Sequence, residues 1–190
     1  MQLQERQFLS SDDYLTLEEV AEFRHEYLDG QIIPMAGGSA EHNRIIGNIY
    51  KCLDDALDER ENVEIFFADM RLWIPLTRSH TYPDVMVIVG GLERLDNRAD
   101  TVMNPKLIVE VLSESTRDYD RGKKFRSYRS IPSLTDYILV DQYSIHVEHF
   151  ARNDSGQWLL TDYDDRSTVI ELSSIGCELP LKTIYRKIEF

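Results

Sequence analysis

The chain has 190 residues, 42% of them hydrophobic, and a formal net charge of −13. This length and composition suit one domain, and we expect residues 1–190 to form it around a sizeable core. The charge argues against a protein that coats DNA non-specifically, because neutralising phosphates requires a positive surface. The sequence has neither an apolar run of the roughly 18 residues that a membrane span needs nor a secretory signal, so we expect a cytoplasmic protein.

The apolar positions of the first half predict two helices and several strands. In the first helix Leu15, Val20, Phe23 and Tyr27 would share a face, and Ser39 is a candidate N-cap for the second. The predicted elements are a helix over 10–29, a strand over 31–36, a helix over 40–59, and strands over 63–68, 70–74 and 81–89.

The second half predicts further strands interrupted by a basic helix. The predicted elements are a polar loop over 90–104, a strand over 105–112, a helix over 116–130, strands over 137–140, 145–150, 158–163 and 168–172, and a short helix over 181–188. One helix leads into the strand series and another interrupts it. This order predicts an α/β fold with a mixed β-sheet flanked by helices and with extra C-terminal β-hairpins.

Two carboxylates stand in strands that are otherwise apolar. Asp84 follows Tyr82-Pro83 and precedes a run of valine, methionine and isoleucine, and Glu110 lies within Leu-Ile-Val-Glu-Val-Leu. We expect both to be central and buried, where a lone carboxylate is costly to desolvate. Each could pair with its own lysine or arginine. For two acids in matching strands, a divalent cation between them removes both the desolvation cost and the repulsion, and we favour that interpretation.

The residues around these acids resemble a known family. Pro83-Asp84 and Glu110-Val111 resemble the Pro-Asp and Glu-x-Lys strands of the PD-(D/E)XK nuclease superfamily. The wider pattern is similar to the Uma-type family of the restriction-endonuclease-like fold. It comprises His25-Glu26-Tyr27-Leu28-Asp29-Gly30, His42, Pro83-Asp84-Val85, Glu110-Val111-Leu112-Ser113-Glu114-Ser115-Thr116, Asp120-Arg121-Gly122-Lys123-Lys124, Tyr128 and Tyr137-Ile138-Leu139-Val140-Asp141.

The resemblance implies a site that hydrolyses phosphodiester bonds. Asp84, Glu110 and the backbone carbonyl of Val111 would bind Mg²⁺ or Mn²⁺, since hard oxygen ligands select those ions. The lysine expected two residues after the glutamate is replaced by Leu112. The resemblance offers Lys124 instead as the catalytic lysine, and Lys106, four residues before Glu110, is its rival.

Further residues are candidates for the surroundings of the site. The resemblance suggests that Glu26 lies near the metal site, although it could be a surface acid. His42, Ser113 and Asp120 are further candidate cleft-lining residues, although a lone histidine is often structural and Ser113 also suits a helix cap. A local basic island contains candidate phosphate contacts, which could equally be a solvated helix face. These contacts are Arg117, Arg121 and Lys123.

These observations predict a metal-dependent endonuclease that acts on DNA. Leu112 and the acidic charge favour an alternative, a catalytically inactive nucleic-acid- or partner-binding module on the same fold. A structural or regulatory homodimer is a third interpretation, from a different class.

Overall fold

A computed structural model describes residues 8–35 and 37–190. Its helices are α1 (Ser11–Val20), α2 (Ala40–Leu57), α3 (Arg117–Tyr119), α4 (Phe125–Tyr128) and α5 (Leu181–Ile184). Its strands are β1 (His25–Leu28), β2 (Gln31–Pro34), β3 (Val63–Phe67), β4 (Arg71–Ile74), β5 (Ser79–Thr81), β6 (Val85–Val89), β7 (Thr101–Val102), β8 (Leu107–Leu112), β9 (Asp136–Asp141), β10 (Val147–Arg152), β11 (Trp158–Tyr163), β12 (Val169–Leu172) and β13 (Cys177–Pro180). In this part of the chain, no helix has both the length and the apolarity that crossing a bilayer requires.

The main sheet is six-stranded and mixed. Its order is β11-β10-β9-β8-β6-β3, with β8 and β9 parallel and the other neighbours antiparallel. The hairpin β10–β11 extends this sheet, and β12–β13 forms a separate C-terminal hairpin. The predicted α/β class, with a mixed sheet flanked by helices and C-terminal hairpins, is confirmed.

Side chains alternate between the two faces of β8, and this alternation determines which face carries the acid. Leu107, Val109 and Val111 pack in the core beneath α2, whereas Ile108 and Leu112 pack with Phe125 and Tyr128 of α4 on the other face. Because strand residues two apart share a face, Glu110 lies on the α4 side of the sheet. A carboxylate is thereby placed beside the apolar side chains of this layer.

A second, five-stranded sheet has the order β2-β1-β5-β4-β7. The chain passes from this sheet to the main sheet between Thr81 and Val85, so the single strand predicted over 81–89 is wrong. Pro83 stands at the passage and has no N–H to donate to a ladder, which is the physical reason for the break. Asp84 therefore lies just before β6, not within it.

The first predicted helix is too long. Instead of running over 10–29, α1 ends at Val20, and Tyr27 belongs to β1, where its backbone pairs with β2 and β5. Val20 and Phe23, assigned to the buried face of that helix, are exposed. Strand pairing with residues distant in sequence overrides the helical spacing here, although Tyr27 still packs on Tyr14 of α1.

The basic helix is confirmed but irregular. Between α3 and α4, residues Asp120–Lys124 form a π-helical turn, a feature that often occurs at functional sites. Short elements were not predicted: β7 lies inside the predicted polar loop, and β13 precedes a final helix that ends at Ile184 rather than at residue 188. The predicted strand over 31–36 ends at Pro34, and its residue 36 lies outside the described residues.

Candidate active site

A cleft of about 590 Å³ lies where the two sheets meet the N-terminus of α2 and the start of α3. The predicted site residues that line it are Glu26, His42, Asp84, Glu110, Val111, Ser113, Asp120 and Lys124. The structure thus brings together side chains from segments far apart in the sequence. Their chemical roles stay predictions.

Asp84 stands opposite Glu110. The antiparallel register pairs Val85 with Val109, and continuing it by one residue places Asp84 across from Glu110 on the same face. Asp84 Oδ2 accepts the backbone N–H of Val111 at 2.7 Å. The side chain of Asp84 is 19% exposed, so the expectation of full burial is wrong for this acid, because it lies beyond the end of β6.

Glu110 is buried, with 4% of its side chain exposed. Its Oε1 accepts a hydrogen bond from the hydroxyl of Tyr128 at 2.7 Å and lies 2.9 Å from Nζ of Lys124. Burial raises the pKa of Glu110 well above its usual range, and the charges of Asp84, Asp120 and Glu26 add to this rise, while Lys124 opposes it. The carboxyl group therefore holds a proton more tightly than an exposed glutamate.

Lys124 projects from the π-helical turn into a group of carboxylates. Its Nζ lies 2.9 Å from Glu110, 3.1 Å from Glu26 and 3.6 Å from Asp120. Burial alone would lower the pKa of Lys124, but these neighbouring acids raise it well above its usual value. The lysine is therefore charged. Lys106 does not line the cleft, so the geometry favours Lys124 over this rival.

Glu26 is held on both of its oxygens. Oε1 lies near Lys124 and accepts the backbone N–H of Tyr82 at 3.4 Å, and Oε2 accepts the hydroxyl of Tyr119 at 3.2 Å. Strand β1 supplies this acid from the second sheet, so the cleft depends on the contact between the sheets. Asp120, which also contacts Lys124, has a pKa above its usual value, chiefly because it is buried.

His42 lies in the first turn of α2, beside one of the two acids that the prediction assigns to the metal. Its Nε2 is 3.3 Å from Oδ2 of Asp84. Burial lowers the pKa of His42, but Asp84 and Val111 outweigh it and leave the pKa raised. A Cβ at Gly38 would lie 2.8 Å from Nδ1 of His42, so a glycine lets the ring occupy this place.

The candidate phosphate contacts lie outside the walls of the cleft. Arg121 is paired with Glu148 at 2.6 Å, Lys123 is exposed, and the guanidinium of Arg117 lies over the ring of Tyr143. Ser113 lines the cleft, and its hydroxyl bonds to the hydroxyls of Ser115 and Thr116, each at 3.0 Å. These three residues therefore present no basic strip to the acids of the cleft, because Arg121 is paired with Glu148, Arg117 lies over Tyr143 and Lys123 is exposed.

The donor set of the cleft suits a hard cation. Among residues 8–35 and 37–190, Oδ1 of Asp84 and Oε2 of Glu110 accept no hydrogen bond, so one oxygen of each acid is available. No group of three or more His, Cys, Asp and Glu side chains is arranged for a metal in these residues. Two carboxylates, completed by a backbone carbonyl and water, match the way Mg²⁺ is usually held.

Several residues of the site were missed by sequence reasoning. Tyr119 and Tyr128 hold the two glutamates, and Tyr128 had been noted only as part of the family pattern. Gln142 bridges the hydroxyl of Ser39 and the carbonyl of Leu112, each at 2.7 Å, and so ties α2 to the ends of β8 and β9. Neither partner is near Gln142 in sequence, so no local signal marks it.

The chain has a mixed α/β fold with a cleft beside its two sheets, and its family is shown by comparison with known proteins. The family model described as "Putative restriction endonuclease" matches residues 11–182, and the chain therefore belongs to this family, Uma2. Two uncharacterized proteins of Synechocystis sp. (strain ATCC 27184 / PCC 6803 / Kazusa) are similar in sequence. One is 44% identical over 165 residues, covering 87% of this chain and 93% of that protein, and the other is 40% identical over 182 residues, covering 96% and 94%.

A solved structure has the same fold. It is the crystal structure of a protein from Anabaena variabilis ATCC 29413, described as "a putative nuclease belonging to DUF820". The two structures superpose with a TM-score of 0.77 over 93% of this chain and 97% of the other, at 18% sequence identity. The resemblance to restriction-endonuclease-like proteins is thereby confirmed for the family and for the fold.

Proposed function

We propose that this protein is a metal-dependent nuclease that hydrolyses phosphodiester bonds in DNA. The observation that carries the proposal is the meeting of Asp84, Glu110 and Lys124 in one cleft, where Lys124 and Glu110 are 7% and 4% exposed. A purely structural ion pair needs no cleft beside it, so the adjoining cleft of about 590 Å³ supports a catalytic role for these residues. Membership of the Uma2 family supports nuclease chemistry in general.

Asp84 and Glu110, with the carbonyl of Val111, would hold Mg²⁺ or Mn²⁺. When bound, the ion would lower the pKa of a water molecule and neutralise charge on the phosphate. Val111 N–H fixes Asp84, and the hydroxyl of Tyr128 fixes Glu110, so both acids are held in place before the substrate arrives. Among the described residues, Lys124 is the only Lys or Arg that lines the cleft. Its ammonium group lies beside Glu110 and would stabilise the negative charge that develops on the phosphate during hydrolysis.

A binding module without catalysis is the second candidate. Leu112 stands where the superfamily has its lysine and is buried in the core, and Nζ of Lys124 lies near three carboxylates at once. A lysine held in this way could be purely structural. The two candidates predict the same fold and differ in whether DNA is cut.

The test is a cleavage assay on single- and double-stranded DNA with Mg²⁺ or Mn²⁺, run beside the Asp84→Asn protein. We expect cleavage that requires the metal, stops with a chelator and is lost in Asp84→Asn. Equal, metal-independent cleavage by both proteins would indicate a contaminating nuclease. If the wild-type protein binds DNA but never cuts it, the binding module is correct.

A further inference from the structure

An exposed tyrosine stands at the rim of the cleft. Tyr143 lies in the turn between β9 and β10, lines the same cleft as Asp84 and Glu110, and is 50% exposed. The core packing of the protein does not account for an aromatic ring at this position. Ile33 and Met35, which are partly exposed, line the same cleft and add apolar surface.

The ring is held in place although it is exposed. The hydroxyl of Tyr143 accepts a hydrogen bond from the backbone N–H of Glu114 at 3.4 Å. The backbone N–H of Tyr143 donates to Oδ1 of Asp141 at 2.7 Å. The guanidinium carbon of Arg117 lies 5.8 Å from the ring centroid. A pre-ordered aromatic ring loses little conformational freedom when a planar ligand stacks on it.

The charge of the cleft is unfavourable for grasping a duplex by its phosphates. Five carboxylates line it, and Lys124 is the single Lys or Arg beside them in the described part of the chain. Binding of double-stranded DNA depends largely on Lys and Arg contacts to many phosphates. The substrate must therefore gain affinity in another way, and base–aromatic stacking provides it without a basic surface. The five carboxylates are Glu26, Asp84, Glu110, Glu114 and Asp120.

We propose that Tyr143, flanked by Arg117, is a stacking platform for an unpaired nucleobase beside the scissile phosphate, so that the cleft takes single-stranded nucleic acid. The inference rests on the proposed nuclease function and names its substrate class. In a duplex both faces of each base are covered by neighbouring base pairs, so the platform can engage only a base that is unpaired or at a strand end. Arg117 adds a planar cation that also stacks on bases.

The test measures binding without cleavage in the Asp84→Asn protein, using a short fluorescently labelled single-stranded DNA and fluorescence anisotropy. Adding Tyr143→Ala should weaken binding by about 5- to 150-fold, the range expected for the loss of one stacked base. Tyr143→Trp should preserve binding. Phe190→Ala is the matched control, since Phe190 is 58% exposed and does not line the cleft, and it should leave binding unchanged.

The other arms use a duplex and a single-stranded RNA of the same sequence. The duplex should bind at least roughly tenfold more weakly than the single strand, because its bases are already stacked. RNA that binds with the same dependence on Tyr143 supports the platform, since stacking reads the base and not the sugar. A Tyr143→Ala protein that binds single strands like its parent, or a duplex that binds equally well, would overturn the inference.

Binding and cleavage results separate this inference from the proposed function. If single strands bind in a Tyr143-dependent way but the wild-type protein cuts no DNA with any metal, the nuclease proposal fails and the platform stands. If the wild-type protein cuts duplex and single strands alike and Tyr143→Ala changes neither, the nuclease proposal stands and the platform fails.

Discussion

The ammonium nitrogen of Lys124 lies 2.9 Å from Oε1 of Glu110, although the two residues belong to a helix and a strand. The superfamily pattern places the lysine on the same strand as the glutamate. Here that strand position holds Leu112, which packs in the core under α4. The π-helical turn projects Lys124 to the same face of the sheet, so a lysine from the following helix reaches Glu110.

Replacing Lys124 by methionine should lower the cleavage rate by at least about a hundredfold, because a charged group next to the reacting phosphate is lost. It should also lower the free energy of unfolding by about 3–5 kcal/mol, since Glu110 and Glu26 lose a buried partner. Cleavage assays below the melting temperature of the variant, together with urea unfolding, measure the two effects separately.

Lys123→Met is the control for this experiment. Lys123 is adjacent in sequence but exposed, and adjacent helical residues point about 100° apart. The control should cut DNA at close to the wild-type rate and unfold like the wild type. Equal cleavage by the Lys123→Met and Lys124→Met proteins would remove Lys124 from the mechanism.

Tyr128→Phe should reduce turnover while leaving the fold intact. The change removes the hydroxyl that donates to Glu110 at 2.7 Å, but the ring keeps its packing against Tyr137. Loss of a residue that orients a metal-binding group commonly lowers metal affinity or activity about 10- to 100-fold. One lost hydrogen bond to a charged group costs about 1.5–3 kcal/mol. Steady-state kinetics should show the fall in kcat.

A second tyrosine distinguishes positioning from general destabilisation. The hydroxyl of Tyr27 donates to the carbonyl of Leu9 at 2.9 Å, and Tyr27 does not line the cleft. Tyr27→Phe should therefore lower stability without lowering kcat per folded molecule. If Tyr27→Phe and Tyr128→Phe reduce kcat equally, Tyr128 has no specific role in the site.

Much of the main sheet could be predicted because its strands have strong local patterns. The apolar run around Glu110 and the N-cap Ser39 lead directly to β8 and α2. Where local spacing and long-range pairing disagree, the prediction fails. Tyr27 has helical spacing but lies in a strand, and the two-residue strand β7 is defined by its pairing with β4 rather than by a local pattern.

The acids of the candidate cleft could be predicted from the sequence, whereas most of the residues that hold them could not. Asp84 and Glu110 stand out because carboxylates are costly in apolar strands, and the family pattern supplied Lys124. Arg121 forms an ion pair with Glu148, which lies in a later strand. Because the two residues are distant in sequence, the sequence alone could not show that this arginine is paired. The rim residue Tyr143 has no local pattern and is recognised only from its place in the cleft.

His80 should make the protein sensitive to acid. Burial, reinforced by the charge of Arg71, lowers the pKa of His80 to about 3. Because this folded-state pKa lies below the unfolded value, the unfolded state binds the extra proton between about pH 6.5 and pH 3. The contribution of His80 to stability is therefore fully present above about pH 6.5 and is lost as the pH falls towards 3.

The His80→Phe protein tests this effect by urea unfolding near pH 7 and near pH 4. From pH 7 to pH 4, the free energy of unfolding should fall by about 3 kcal/mol more in the wild-type protein than in the variant. This figure follows from about 1.4 kcal/mol for each unit of pKa shift. The aromatic rings of Tyr14 and Trp73 lie 5.0 Å and 4.2 Å from His80, so phenylalanine can stack in its place. Parallel pH profiles of the two proteins would contradict the prediction.

Binding of Mg²⁺ or Mn²⁺ should raise the melting temperature, and the rise should grow with pH. Burial and then the charges of Asp84, Asp120 and Glu26 raise the pKa of Glu110, so a cation must displace a proton from the cleft. With the folded pKa raised, the stability contributed by protonated Glu110 is present at low pH and is lost as the pH rises through that pKa. Metal binding has the opposite pH dependence, since the metal binds the deprotonated acid. It stabilises the folded protein by about 2.7 kcal/mol at a hundredfold excess over Kd.

Melting curves with millimolar metal or chelator at increasing pH measure this pH dependence. Asp84→Asn should abolish the rise in melting temperature, whereas Glu114→Gln should retain it. A melting temperature unchanged by either metal at any pH would exclude the metal site, and a shift independent of pH would leave the site but refute the competition with a proton.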